Sequence, residues 1–381
     1  MLSRRGMGMS SLIKWPGGKS GEIKYIEKII PPFNRYIEPF FGGGALFFHL
    51  KPPRAAVNDI SASLVNYYRL VKKQDRLLYD LLISYNNSFV NLIKVCDSNY
   101  SDIYDLFYKF MRDSIDKNEL TEKTASLLKN LAEEIFLGFS EELVLDKGEF
   151  IDHIIKMAVD KICRLVVNNK RRSFSDKDMK ANLITGFVSG YYMYFRKVFN
   201  DIELHRIENP STQYRAANFY FIREYCYGSM FRYNKHGEFN IPYGGMSYNK
   251  KDFRLKIEKM FNDDIVRIFK NTEICCSDFE QFLNDINLTA NDFLFLDPPY
   301  DTDFSDYEGK DFTKADQERL ALYLRSTAAQ FILIIKNTGF IHDLYKDYFN
   351  IIMFDNQYTY NVRSRNERNV EHLIITNVPG L

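Results

Sequence analysis

Four consecutive residues, Asp297, Pro298, Pro299 and Tyr300, directly follow the apolar run FLFL. A strand feeding such a turn delivers its side chains to the carboxyl end of a sheet, where open parallel sheets bind ligands. The two prolines fix the backbone and remove two N–H donors, so carbonyls there face outward as acceptors. A carboxylate, a free carbonyl and an aromatic ring thus meet at one strand end. An exocyclic amine on a planar heterocycle is the complement of that set, with two N–H donors and a π-face. Asp297 and the Pro298 carbonyl would accept the two hydrogens while Tyr300 stacks on the ring. Holding both hydrogens biases the nitrogen from planar towards tetrahedral and frees its lone pair for attack. The plain structural alternative is a strand-ending turn with a surface tyrosine.

A second stretch, Glu38-Pro39-Phe40-Phe41-Gly42-Gly43-Gly44, leads from a strand end through a Gly-rich turn into a helix. Glycines let a ligand approach the backbone, and a helix start favours a carboxylate. Such turns also close many strand–helix junctions that bind nothing. The Lys-Ser/Thr of a phosphate loop is missing and the G-x-G-x-x-G spacing is not met, so the phosphate-loop and dinucleotide readings drop. Asp59 ends the next strand, where an acid accepts hydrogen bonds from ribose hydroxyls. A nucleoside without phosphates fits best, and S-adenosylmethionine is such a nucleoside. The third stretch, Lys14-Trp15-Pro16-Gly17-Gly18-Lys19, holds the only tryptophan in the chain. Its indole face and ammonium suit the adenosine and carboxylate of a sulfonium ligand; structurally, it is equally a turn packed by one aromatic.

These residues need elements to bring them together. RYIEP (35–39), AAVN (55–58), ICCSDF (274–279), FLFLDPPY (293–300), FILIIKNT (331–338), IIMF (351–354) and VEHLIIT (370–376) read as strands, and 45–50 and 314–329 as helices. The alternation implies a parallel sheet. From about 76 to 200 apolar residues recur at three and four, which predicts helices and no strand. Within that stretch NNKRRSFSDKDMK (168–180) reads as a polar, locally basic loop, and RYNKHGEFNIPYGG places Gly237 between aromatic flanks as a hairpin within 228–249 would. The expected architecture is therefore α/β: a Rossmann-like sheet built from two pieces, 1–75 and 255–381, around a helical and hairpin insert at 76–254.

Composition bounds the partners. With 381 residues, 45% apolar and 27% charged, the chain lies in the ordinary globular range, which excludes global disorder. At a net charge of +1, a nucleic-acid partner must be gripped by a local basic face. Five cysteines without C-x-x-C spacing and six histidines without an H-E-x-x-H pair imply neither a disulfide framework nor a metal. No apolar run approaches the ~18 residues of a membrane span, and no apolar stretch follows the arginines near the start. A cytoplasmic protein without membrane contact is expected.

Together the three stretches resemble a known family, the Dam-like DNA adenine-N6 methyltransferases of the alpha group. KWPGGK is similar to that family's first motif, EPFFGGGALFF to its cofactor loop, NDIS (58–61) to its ribose-binding strand end and LDPPY to its catalytic motif, in the family's order. RYNKHGEFNIPYG (232–244) resembles the recognition hairpin, CSDF (276–279) the third motif, and RSRNERNVEHLIITN (363–377) the final hairpin. The likeness covers about 10–75 and 210–377. It implies an S-adenosylmethionine-dependent methyltransferase fold and transfer of a methyl group to N6 of a flipped adenine in double-stranded DNA, in a restriction-modification system or as an orphan enzyme.

Matched residue by residue, the resemblance implies catalytic roles for Asp297, Pro298 and Tyr300. Cofactor contacts are implied for Trp15, Lys19, Glu38, Phe41, Gly42, Gly44, Asp59, Asp278, Phe279 and Asp297, and DNA contacts for Arg232, Asn234 and Lys235. A cognate restriction endonuclease is a candidate partner, and a monomer or weak dimer is expected. The lead-in CYGSMFRYN departs from GATC-specific relatives, so a GATC target is not carried over. Arg232 is the foremost base reader, since Arg bidentate to guanine is the commonest specific contact. Two rival readings stand beside this one: methylation of RNA or of a protein amide, whose enzymes usually carry Asn where Asp297 stands, and a DNA-binding relative without catalysis.

Overall fold

The computed structural model describes residues 9–19, 21–171, 173–299, 312–357 and 369–380. They form two units, one of Met1–Lys73, Phe231–Tyr233 and Asn262–Leu381, the other of Gln74–Met230 and Asn234–Phe261.

The first unit carries a seven-stranded sheet. Its strands are β1 (Arg35–Glu38), β2 (Ala55–Asn58), β3 (Thr272–Cys275), β4 (Asp292–Leu296), β5 (Gln330–Lys336), β6 (Asn350–Gln357) and β7 (Asn369–Thr376), in the order β3-β2-β1-β4-β5-β7-β6. The first five pair in parallel, and β7 runs antiparallel to both β5 and β6. The order reverses between β1 and β4, which leaves a crevice outside their carboxyl ends. β4 is buried along its whole length and β5 along all but its ends, as expected of continuous apolar runs in a sheet covered on both faces. The exposed edge at β3 is blunted by Arg69, which donates to the Ile274 carbonyl at 2.8 Å, and by Lys72, which donates to that of Thr272. Helix Lys314–Ser326 begins in a reciprocal capping box between Thr313 and Asp316. It places Leu320, Ala321 and Leu324 in one core with Leu294 and Leu296 of β4.

The second unit is helical. Its longest members are Arg76–Ser98, Lys147–Arg171, Asp176–Glu203 and Thr212–Tyr225, and helix Arg254–Met260 belongs with them. Tyr85 stacks on Phe221 at 4.9 Å, and the Asn218 amide donates to the Tyr85 hydroxyl at 3.0 Å, so an aromatic core is locked by buried polar groups. Gly190 lets helix Asp176–Glu203 approach helix Lys147–Arg171. A Cβ there would fall 2.3 Å from the Ile154 Cα.

Two expectations are corrected. The segment 168–180 is not one continuous loop: one helix runs to Arg171 and the next starts at Asp176 after a short connection, capped by the Ser175 hydroxyl accepting from the Asp178 N–H. Its polar residues extend the solvent faces of two long helices whose apolar faces are packed. At 228–249 the expected turn is present around Gly237, flanked by single bridge residues at Tyr233 and Phe239 and not by extended strands. An isolated bridge joins Cys226 to Tyr243, and a tight turn at 234–238 bonds the Asn234 N–H to the Glu238 carbonyl at 2.9 Å. Buried Arg223 donates to the Ser229 and Met230 carbonyls and holds the lead-in to that turn.

Candidate functional site

A cavity of about 290 Å³ opens at the carboxyl ends of β1, β2 and β4, in the first unit. The sheet order puts it there: Glu38 ends β1, Asn58 ends β2 with Asp59 directly after it, and Asp297 follows β4 directly. Asn58 ties the strand ends together. Its amide donates to the Pro39 and Ser277 carbonyls at 3.1 and 3.0 Å, and its oxygen accepts from the Ser277 N–H. The glycine turn then closes over β2. Gly42, with φ +47°, donates its N–H to Asp59 Oδ2 at 2.8 Å, while the Tyr68 hydroxyl donates to its carbonyl at 3.1 Å. The Trp15 indole lies against this turn, since a Cβ on Gly42 would meet its Cδ1 at 2.7 Å. Gly44, with φ +62°, caps helix Ala45–Leu50 in the left-handed region that glycine adopts without strain.

All ten expected cofactor residues line this one cavity, as does Pro298. Tyr300 lies outside the described residues. Lys19 is buried, donating to the Gly17 carbonyl at 3.0 Å and lying 2.7 Å from Asp297 Oδ1. Burial raises the Asp297 carboxyl above its ordinary range, and the Lys19 ammonium holds it down. Glu38 is pushed well above the usual carboxylate range by burial and by its neighbours Asp297 and Asp59, although the Tyr36 hydroxyl donates to it at 2.9 Å. Burial pushes Asp59 up to about 6, against the N–H groups of Ser61, Gly42 and Ile60. Asp278 caps helix Phe279–Asp285, accepts from the Glu280 N–H at 3.0 Å and pairs with Arg319 at 2.6 Å.

Several lining residues were not anticipated. Phe40 and Phe312 form an aromatic cluster with the expected Phe279, with centroids 5.4 to 5.7 Å apart, and the Arg319 guanidinium lies 4.8 Å from the Phe279 ring centre. Asn58, Asp316 and Pro299 also line the cavity, and Gln317 reaches the Pro299 carbonyl. Asn58 and Pro299 stand inside the NDIS and LDPPY motifs, while Phe40 and Asp316 carried only the FF pair and the Thr313–Asp316 capping spacing as a signal. Among the described residues the lining holds five carboxyl groups, those of Glu38, Asp59, Asp278, Asp297 and Asp316, three of them raised by burial, against one ammonium, that of Lys19. Such a wall suits a ligand with an aromatic plane, hydroxyls and positive charge, and repels a polyphosphate.

The expected DNA-contacting residues lie elsewhere in the chain. Arg232 and Lys235 are exposed. Asn234 instead builds the tight turn: its oxygen accepts from the His236 and Glu238 N–H groups, and its nitrogen donates to Glu238 Oε2 at 3.0 Å. Phe231 packs edge-on against Trp15 at 4.9 Å, so Arg232 follows directly on a residue anchored beside the glycine turn. Among the described residues no group of His, Cys, Asp and Glu is placed to hold a metal ion, and no helix is long and apolar enough to cross a membrane.

Comparison with known proteins gives this geometry a context. A family model described as D12 class N6 adenine-specific DNA methyltransferase matches residues 15–95 and 164–360. The unmatched stretch between them falls within the helical unit. The type II methyltransferase M.CviBI of Paramecium bursaria Chlorella virus NC1A is 24% identical over 376 residues, covering 97% of this chain and 100% of the relative. The type II methyltransferase M.MjaIII of Methanocaldococcus jannaschii is 27% identical over 339 residues, covering 84% and 80%. A DNA adenine methylase of Vibrio cholerae is 22% identical over 325 residues, covering 84% and 77%.

Proposed function

The chain belongs to the D12 class of N6 adenine-specific DNA methyltransferases, and from that premise we propose that its methyl donor is S-adenosylmethionine, held in the cavity outside β1, β2 and β4. The observation that carries this reading is the lining itself, where five carboxyl groups and a cluster of aromatic rings face one lysine. Asp59 would take the ribose hydroxyls, and the Phe40–Phe279–Phe312 cluster and Trp15 would contact planar and apolar portions. Bound there, S-adenosylmethionine supplies a methyl carbon on a positively charged sulfur, already activated for transfer.

The protein's own task is then positioning, which supplies much of the rate in a step with a good leaving group. Asp297 and the Pro298 carbonyl accept the two N6 hydrogens of the target adenine and turn the nitrogen lone pair towards the cavity. Lys19 fixes the Asp297 carboxylate and opposes the effect of burial on its charge. The target base leaves the duplex, at a cost of a few kcal/mol, and stacking on an aromatic such as Tyr300 returns ~1 to 3 kcal/mol. Arg232 reads a guanine edge and Lys235 contacts backbone phosphate; Asn234 shapes the turn between them. The relatives named as type II methyltransferases support a role beside a cognate restriction endonuclease, in the cytoplasm where DNA is accessible.

The test is methyl transfer from labelled S-adenosylmethionine to plasmid DNA, followed by modification-sensitive sequencing. N6-methyladenine at one recurrent sequence is the expected result. Failure to bind this cofactor, or transfer to RNA or protein in place of DNA, would overturn the proposal.

A further inference from the structure

We propose that Gln317 is a positioning residue for methyl transfer: its side-chain amide holds the Pro299 carbonyl and so fixes the turn that carries Asp297 and Pro298. Gln317 Nε2 donates to the Pro299 oxygen at 3.1 Å. Neither Pro298 nor Pro299 has an N–H, so this turn cannot brace itself with its own backbone donors. A donor from another element must orient it. Gln317 sits on helix Lys314–Ser326, whose start is pinned by the Thr313–Asp316 capping box, and that makes the donor rigid.

The energetic setting argues against a merely structural amide. Gln317 is fully buried, on the same helix face as Leu320, Ala321 and Leu324. Its own oxygen has no hydrogen-bond partner among the described residues. A buried polar atom left unpaired is unfavourable, and an apolar residue of similar size would avoid that penalty. The amide therefore earns its place by what its nitrogen does to the Pro299 carbonyl. With that carbonyl held, the Pro298 carbonyl and the Asp297 carboxylate keep a fixed spacing towards the substrate amine. The inference rests on the reading of 297–299 as the turn that grips N6.

Three full-length variants test it together: Gln317→Leu, Gln317→Glu and Asp297→Ala, each assayed for kcat, for S-adenosylmethionine affinity and for thermal unfolding. Gln317→Leu is expected to lose about tenfold to a hundredfold in kcat, the scale of a misplaced reacting group, with cofactor affinity and melting temperature not lowered. In Gln317→Glu an ionised carboxylate faces the Pro299 carbonyl, two acceptors with no hydrogen between them. Protonation restores a donor, so kcat relative to wild type is expected to rise as pH falls from about 8 to about 6, the range into which burial brings a carboxyl. Wild-type kcat in Gln317→Leu beside an inactive Asp297→Ala overturns the inference. So does a loss in Gln317→Leu that is matched by lowered stability, with no recovery of Gln317→Glu at low pH. If Asp297→Ala itself keeps wild-type turnover, the reading of the turn fails first and takes the inference with it.

Discussion

Lys19 Nζ lies 2.7 Å from Asp297 Oδ1, so a glycine-rich turn near the start of the chain and the turn after β4 share one ion pair of a buried ammonium and a partly buried carboxylate. Burial disfavours the Asp297 charge and Lys19 opposes that effect. Removing Lys19 raises the carboxyl further. Lys19→Met is expected to lower kcat at neutral pH and to move the acid limb of its pH–rate profile to higher pH. A variant whose profile overlays the wild type would show that the pair is dispensable.

Asp59 gives a second pH dependence, and its sign follows from the raised value of about 6. A folded acid that holds its proton more tightly than the unfolded chain contributes stability that is full below the unfolded value, near 4, and lost as pH rises through 6. On the proposed role of Asp59, cofactor binding runs the other way, because ribose hydroxyls would donate to the ionised form. S-adenosylmethionine affinity is expected to weaken below pH 6, by at most about tenfold per pH unit for one titrating group. Trp15, the only tryptophan and part of the cavity wall, offers the fluorescence signal. Glu38 and Asp297 are raised too, so the assignment depends on Asp59→Asn flattening the profile. Wild-type affinity that stays level across this range would refute it.

Arg232 and Lys235 should separate by phenotype. Arg232→Ala is expected to relax discrimination at one position by ~1 to 3 kcal/mol. Lys235→Ala is expected to weaken all sequences alike and to reduce the salt slope of binding by about 1. Methylation profiling on a randomised duplex library reads the first, and binding titrations at several salt concentrations read the second. Unchanged specificity in Arg232→Ala would remove it as a base reader.

Gly190 tests the helical unit independently of the chemistry. Its missing side chain allows a helix approach in which a Cβ would sit 2.3 Å from the Ile154 Cα. Gly190→Ala is expected to destabilise by about 1 to 3 kcal/mol through overpacking, visible as a lower melting temperature. An unaltered melting curve would mean that the two helices separate freely.

The sequence made the sheet legible because β4 and β5 are continuous apolar runs that only a two-sided burial explains. It made the cavity wall legible because Gly42, Gly44 and Asp59 have roles set by local backbone geometry. Contacts between distant segments carried no such signal. Nothing in the spacing announces that Lys19 pairs with Asp297 or that Gln317 reaches the Pro299 carbonyl, and the Phe40–Phe279–Phe312 cluster joins three separate stretches. The region 168–180 was misread because exposed helix faces are as polar as loops. Around Gly237 the aromatic and glycine pattern marked the turn correctly, but not that its flanks would be single bridge residues in place of extended strands.

The central claim is that Asp297 grips the N6 amine during transfer, and single-turnover methylation by Asp297→Ala tests it most directly, with DNA and cofactor binding measured on the same samples. The account predicts a loss of transfer of about a hundredfold or more, with DNA affinity nearly unchanged and N6-methyladenine as the residual product. Transfer at the wild-type rate by Asp297→Ala would contradict it.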